Sequence, residues 1–117
     1  MINYKSGDII LVEVIFAEKN ESKKRPALIL SSDEYHNKRQ DIIIAAITSN
    51  TTRILFGDTL IKDWERAGLK YSSLVTATIQ TIKKNMIDKK IGTLTKKDMQ
   101  NVMLNLAQSI LIYDTEK

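Results

Sequence analysis

The stretch Lys23-Lys24-Arg25-Pro26-Ala27-Leu28-Ile29-Leu30-Ser31 decides how the rest of the chain is read. A basic head passes through a proline into an aliphatic run, which predicts a strand that enters the core with a guanidinium at its mouth. Arg25 is permanently charged and offers a planar fork of donors, and Pro26 fixes the backbone behind it, so the pair suits a phosphate. Working outward, Ile9-Ile10-Leu11-Val12-Glu13-Val14-Ile15-Phe16 predicts a strand buried on much of both faces. Ala17 to Lys24 reads as a polar, mobile hairpin loop, with Arg25 opening the returning strand that runs to Ser32. Further on, Asp41-Ile42-Ile43-Ile44-Ala45-Ala46-Ile47-Thr48-Ser49-Asn50 predicts a second buried strand over residues 41 to 48, ending in two hydroxyls and an amide.

Between these strands, Ser31 followed three residues later by Glu34 has the form of a capping box and predicts a short helical turn. Asp58 to Ile61 is a weaker strand candidate, and Asp63 to Gly68 reads as one helical turn closed by glycine. Ser73 to Ile82 alternates as a strand does, with Thr76, Thr78 and Gln80 opposite Val75, Ala77 and Ile79. A short strand is expected near Lys90 to Leu94. Thr95 and Asp98 then cap a segment in which Met99, Val102, Met103, Leu106, Ala107, Ile110 and Tyr113 recur at helical spacing. The class is α+β: a small, highly curved antiparallel barrel with short helical turns and one amphipathic C-terminal helix.

With 117 residues, 43% apolar and 27% charged, the chain has the size and balance of one globular domain spanning 1–117. Four glycines and one proline leave no room for low-complexity linkers, and no internal repeat is visible. The absence of cysteine excludes disulfides and thiolate chemistry, and suits a reducing cytoplasm. The N-terminus lacks a signal-peptide layout, and no apolar run approaches the roughly 18 residues of a membrane span. A cytoplasmic protein without membrane attachment is the expectation. The net charge of +4 is unevenly placed, in one cluster at Lys19, Lys23, Lys24 and Arg25 and another over Lys83, Lys84, Lys89, Lys90, Lys96 and Lys97. Such clusters attract polyanions, although a lysine in a turn commonly serves solubility alone.

The standard hydrolase motifs are missing: there is no P-loop, zinc-binding helix or nucleophile elbow. The single histidine, His36, cannot form a two-histidine acid and base pair, and its polar surroundings predict a surface position. The carboxylates are scattered without metal-ligand spacing, so neither a metal nor another cofactor is inferred. What remains is Arg25 before one strand and Thr48 with Ser49 at the end of another, with Gln80 and Thr81 on a later strand. Each has a plain alternative. Arg25 can be a surface cation capping a loop, and a threonine at a strand end commonly hydrogen-bonds its own turn.

The runs Gly7 to Val12, Lys24 to Ser31 and Ala46 to Ser49, followed by Asp58 to Trp64, Ala77 to Ile82 and Ile91 to Thr95, resemble in order and spacing the MazF/PemK (Kid) family of type II toxin-antitoxin toxins. The likeness covers nearly the whole chain. It implies a homodimeric, SH3-like β-barrel endoribonuclease that cuts single-stranded RNA at short sequences without a metal and is silenced by a cognate antitoxin. The family's catalytic arginine falls on Arg25 and its catalytic threonine on Thr48. Substrate contacts are implied in the loop before the arginine, at Lys19, Asn20, Ser22, Lys23 and Lys24, and at the strand ends, at Ser49, Asn50 and Gln80. Phe16 and Trp64 are candidate base platforms, each also suited to the core or an interface.

The implied reaction is attack by a ribose 2′-oxygen on the adjacent phosphorus, leaving a 2′,3′-cyclic phosphate. Two departures bear on specificity: the loop is poorer in Gly and Asp than in many relatives, and Thr76 stands where close relatives often carry Arg. The recognised RNA sequence therefore does not transfer. Two other readings fit a barrel of this kind, a non-enzymatic CcdB-like gyrase poison and an RNA-binding module without catalysis.

Overall fold

The computed structural model describes residues 3–16 and 21–111, with residues 14–16 and 21–22 described in backbone only. Six antiparallel strands form one sheet: β1 (Asp8–Phe16), β2 (Glu21–Ile29), β3 (Asp41–Thr48), β4 (Thr59–Leu60), β5 (Leu74–Lys83) and β6 (Ile87–Thr93), in the order β4-β5-β3-β2-β1-β6. Helix α1 (Asp33–Arg39) links β2 to β3, and helix α2 (Lys96–Ile110) follows β6.

The aliphatic runs of β1, β2 and β3 have no polar face because both sides of the sheet are covered. On one side Ile9, Leu28, Ala45, Ile47 and Val75 pack with Val102 and Leu106 of α2. On the other, Ile10, Val12, Ala27, Ile29, Ile42, Ile44 and Ile82 form a second cluster against which Tyr4 and Met86 pack. Thr95 caps α2 by accepting the Asp98 N–H at 3.2 Å. The Asp98 carboxylate, 1% exposed, in turn accepts the Lys62 and Asp63 N–H groups at 3.1 and 2.9 Å, tying the helix start to the turn after β4. The buried stripe of α2 is narrower than its periodicity predicts: Met103 and Ile110 are 44% and 63% exposed, and Tyr113 lies outside the described residues. A single helix on a curved sheet touches it along one line, which Asp98, Val102 and Leu106 fill.

The hydrogen-bonded ladder does not close, since β4 and β6 are its two edges. Backbone packing closes it instead. The turn ending in Gly68, at φ +92°, seats against β6, where a Cβ on Gly68 would lie 2.9 Å from the Ile91 carbonyl oxygen and one on Gly92 would overlap the Ala67 carbonyl. A barrel-like wrap therefore depends on two glycines meeting across a seam without side chains between them.

Several local expectations are corrected. Strand β2 begins at Glu21, not Arg25, because β1 offers a pairing edge as far as Phe16. Lys23 and Lys24 consequently lie opposite Val14 and Glu13 within the ladder, not in a loop, and Arg25 lies opposite Val12. The cap of α1 is Ser32, whose hydroxyl accepts the Tyr35 N–H at 3.3 Å, and not Ser31. Ser31 is buried. Its hydroxyl accepts the Ile43 N–H at 2.9 Å and pairs with His36 Nε2 at 2.6 Å, while His36 Nδ1 lies 3.1 Å from the Tyr4 carbonyl oxygen. His36 is thus 4% exposed and knits the N-terminal segment to α1 and β3, contrary to the surface position its polar neighbours suggested. Both ring nitrogens of His36 thus have partners within this cluster.

Candidate nucleic-acid interface

Pairing of β2 with β3 runs from Ile29 opposite Ile44 to Ala27 opposite Ala46 and stops there. The next residue outward is Pro26, which has no N–H to extend a ladder. Two residues beyond the last pair on each strand stand Arg25 and Thr48, the final residue of β3. The strands part at this point and a cleft opens between them. A cavity of about 660 Å³ is lined here by Arg25, Pro26, Thr48 and Ser49 on one side and by Lys70, Tyr71, Lys89 and Lys90 on the other. A second, of about 510 Å³, is lined by Glu13, Arg25, Thr78, Gln80 and Asn85. Arg25 borders both hollows and stands at their junction.

Arg25 is exposed and Thr48 half-buried, so both side chains reach the cleft from a rigid sheet. Thr48 does bond its own turn, its Oγ1 accepting the Asn50 N–H at 3.1 Å. That bond uses a lone pair and leaves the hydroxyl proton to donate outward. Asn50 is occupied with the same turn, its Oδ1 accepting from the Thr52 N–H and hydroxyl at 3.2 and 2.7 Å, and it lines neither cavity. Thr76 donates to the Ala46 carbonyl at 2.8 Å, which steadies the end of β3 just before Thr48.

Of the residues singled out from the sequence, Arg25, Thr48, Ser49 and Gln80 are brought together around the cleft. Lys23 and Lys24 are exposed on the β1–β2 ribbon and line neither hollow, and Lys24 is ion-paired with Asp88 at 3.3 Å. Lys19 and Asn20 lie outside the described residues, as do the side chains of Phe16 and Ser22. Trp64 packs partly buried against the core. Lys70 and Tyr71 were missed because they come to Arg25 only through the seam that folds the turn after β4 against β6; the one available signal was an aromatic set among polar residues. Among the described residues no group of three His, Cys, Asp or Glu side chains is placed to hold a metal. Likewise no helix there is long and apolar enough to cross a membrane.

Curved sheet, glycine seam and cleft together define a small barrel-like protein with a basic rim at Arg25, Lys70, Lys89 and Lys90. Residues 5–110 match the model of the PemK-like, MazF-like toxins of type II toxin-antitoxin systems, and the chain belongs to that family. Solved structures share the fold. An endoribonuclease in complex with its cognate antitoxin from a mycobacterial species superposes with a TM-score of 0.78 at 17% identity, over 96% of this chain and 100% of that one. A MazE-MazF complex from Deinococcus radiodurans gives 0.78 at 13% identity, over 94% and 97%. The Mycobacterium tuberculosis toxin MazF-mt6 gives 0.69 at 22% identity, over 89% and 99%. No curated protein matches the chain.

Proposed function

We propose that this toxin is an endoribonuclease that cuts single-stranded RNA without a metal, using Arg25 and Thr48. The observation that supports the reading is that Arg25 and Thr48 line one hollow, a fixed cation beside a hydroxyl whose proton is left to donate. RNA supplies its own nucleophile. The 2′-oxygen loses its proton and attacks phosphorus, the bond to the 5′-oxygen breaks, and that oxygen takes up a proton, leaving a 2′,3′-cyclic phosphate. The protein then has two tasks, to align the strand and to stabilise the charge that grows on the non-bridging oxygens. Arg25 meets the second with its fork of donors, and the Thr48 proton adds a neutral hydrogen bond to the same phosphate. A guanidinium has no acceptor to offer, so Arg25 acts as an electrostatic clamp and not as the base.

The test is to incubate the purified protein with a long RNA in EDTA and map the new ends. Cuts recurring at one short sequence, with cyclic phosphate termini, are expected; intact RNA would defeat the proposal, and protection without cuts would leave only binding. Thr48→Ala is expected to slow cleavage by roughly 3- to 10-fold, the worth of one neutral hydrogen bond, while Thr48→Ser retains the rate. A Thr48→Ala protein as fast as wild type would remove the hydroxyl from the mechanism.

Two partners belong to the same proposal. Leu55, Phe56, Leu104 and Ile110 are 54%, 77%, 62% and 63% exposed, an apolar load that a second copy of the chain would cover in a homodimer. An antitoxin with an acidic, disordered segment would order itself along the basic cleft and exclude RNA from it.

A further inference from the structure

We propose that Tyr71 is the stacking platform for a nucleobase beside the phosphate held by Arg25, with Lys70 and Lys89 drawing in the neighbouring phosphate. This rests on the RNA-cleaving reading and adds a base-binding subsite to it. Tyr71 is 67% exposed and lines the same hollow as Arg25 and Thr48, whereas Leu55, Phe56, Leu104 and Ile110 line neither hollow of the cleft.

The loop under the ring is tied down on both sides. Before it, the Leu69 N–H donates to the Trp64 carbonyl at 3.1 Å and the Leu69 side chain packs against the core. After it, Ser73 is 4% exposed, its hydroxyl donates to the Tyr71 carbonyl at 2.8 Å, and its own carbonyl accepts the Ile61 N–H at 3.0 Å. A ring presented to solvent from so fixed a backbone loses little freedom when a flat partner stacks on it. The surrounding charge is suitable as well. Lys90 is spent on Asp8 at 3.3 Å, but among the described residues neither Lys70 nor Lys89 forms an ion pair. At about 660 Å³ the hollow falls in the range that receives small ligands, and a nucleotide fits that class. An exposed aromatic with cations beside it is the pattern by which proteins hold unpaired bases.

The experiment uses a short RNA bearing the cut sequence mapped in EDTA, with a 2′-deoxyribose at the scissile position and 2-aminopurine placed in turn at each flanking base. Wild type and Tyr71→Phe are expected to quench the fluorophore at one flanking position. Tyr71→Ala should lose that quenching and bind about 5- to 150-fold more weakly, and on all-ribose RNA its KM should rise with kcat nearly unchanged. Unchanged quenching and affinity in Tyr71→Ala would overturn the subsite. So would absence of quenching in wild type, or a loss in Tyr71→Phe as large as in Tyr71→Ala, which would assign the role to the phenol hydroxyl. A wild-type protein that neither binds nor cuts RNA would instead remove the nuclease reading, and the subsite with it.

Discussion

Arg25→Ala is expected to lower RNA cleavage by at least about 10²- to 10³-fold, the effect of deleting one pre-organised donor at a developing oxyanion, while the protein stays folded. The side chain is exposed and outside both core clusters, so its removal should change stability by no more than about 0.5 kcal/mol. Cleavage rates on a labelled RNA, measured beside the melting temperature, separate the two effects. Arg25→Lys should recover only part of the lost rate, since an ammonium keeps the charge but not the two-pronged geometry. Near-normal cleavage by a well-folded Arg25→Ala protein would take Arg25 out of the mechanism altogether.

The second large effect is on folding. Gly92→Ala should destabilise the protein by about 3 kcal/mol, the upper end for inserting a methyl where packing is already tight, equivalent to a fall of roughly 10 °C in melting temperature. The reason is the obstacle. The added methyl meets the carbonyl of Ala67, a backbone group in a turn pinned by Asp98, and not the tip of a side chain that could swing away. Gly68, Leu69 and Ile91 border the hollow shared by Arg25 and Thr48, so displacement of the seam should also slow cleavage in whatever protein still folds. A Gly92→Ala protein that melts with wild type would show that the turn and β6 are not in firm contact.

These two positions also show what a linear reading yields. Strand β3 was legible from end to end, and β1, β5 and the start of α2 to within a residue, because long aliphatic or regularly spaced runs leave few alternatives. The start of β2 was not legible: Glu21, Lys23 and Lys24 look like loop residues and become strand only because β1 lies alongside to pair with them. Strand β6 was placed too late for the same reason, since Asp88, Lys89 and Lys90 sit at a sheet edge where charge is tolerated. His36 was misplaced because its partners, Tyr4 and Ser31, meet it only in the folded chain. In the site, Arg25 and Thr48 were singled out through family resemblance, and the structure has both lining one hollow. Tyr71 was not, because its sequence offers only an aromatic set among polar residues and it meets Arg25 only through the seam.

The position of Arg25 at the meeting of two hollows has a consequence for what can be cut. A strand that rests one phosphate on that guanidinium and fills both hollows with its flanking nucleotides would turn there and break the stack of bases spaced about 3.4 Å apart. A lone strand makes such a bend at little cost, whereas a duplex would first have to surrender its base pairs. Under the proposed ribonuclease reading, rejection of double helices would need no dedicated sensor, because two hollows meeting at one arginine favour a strand that can bend.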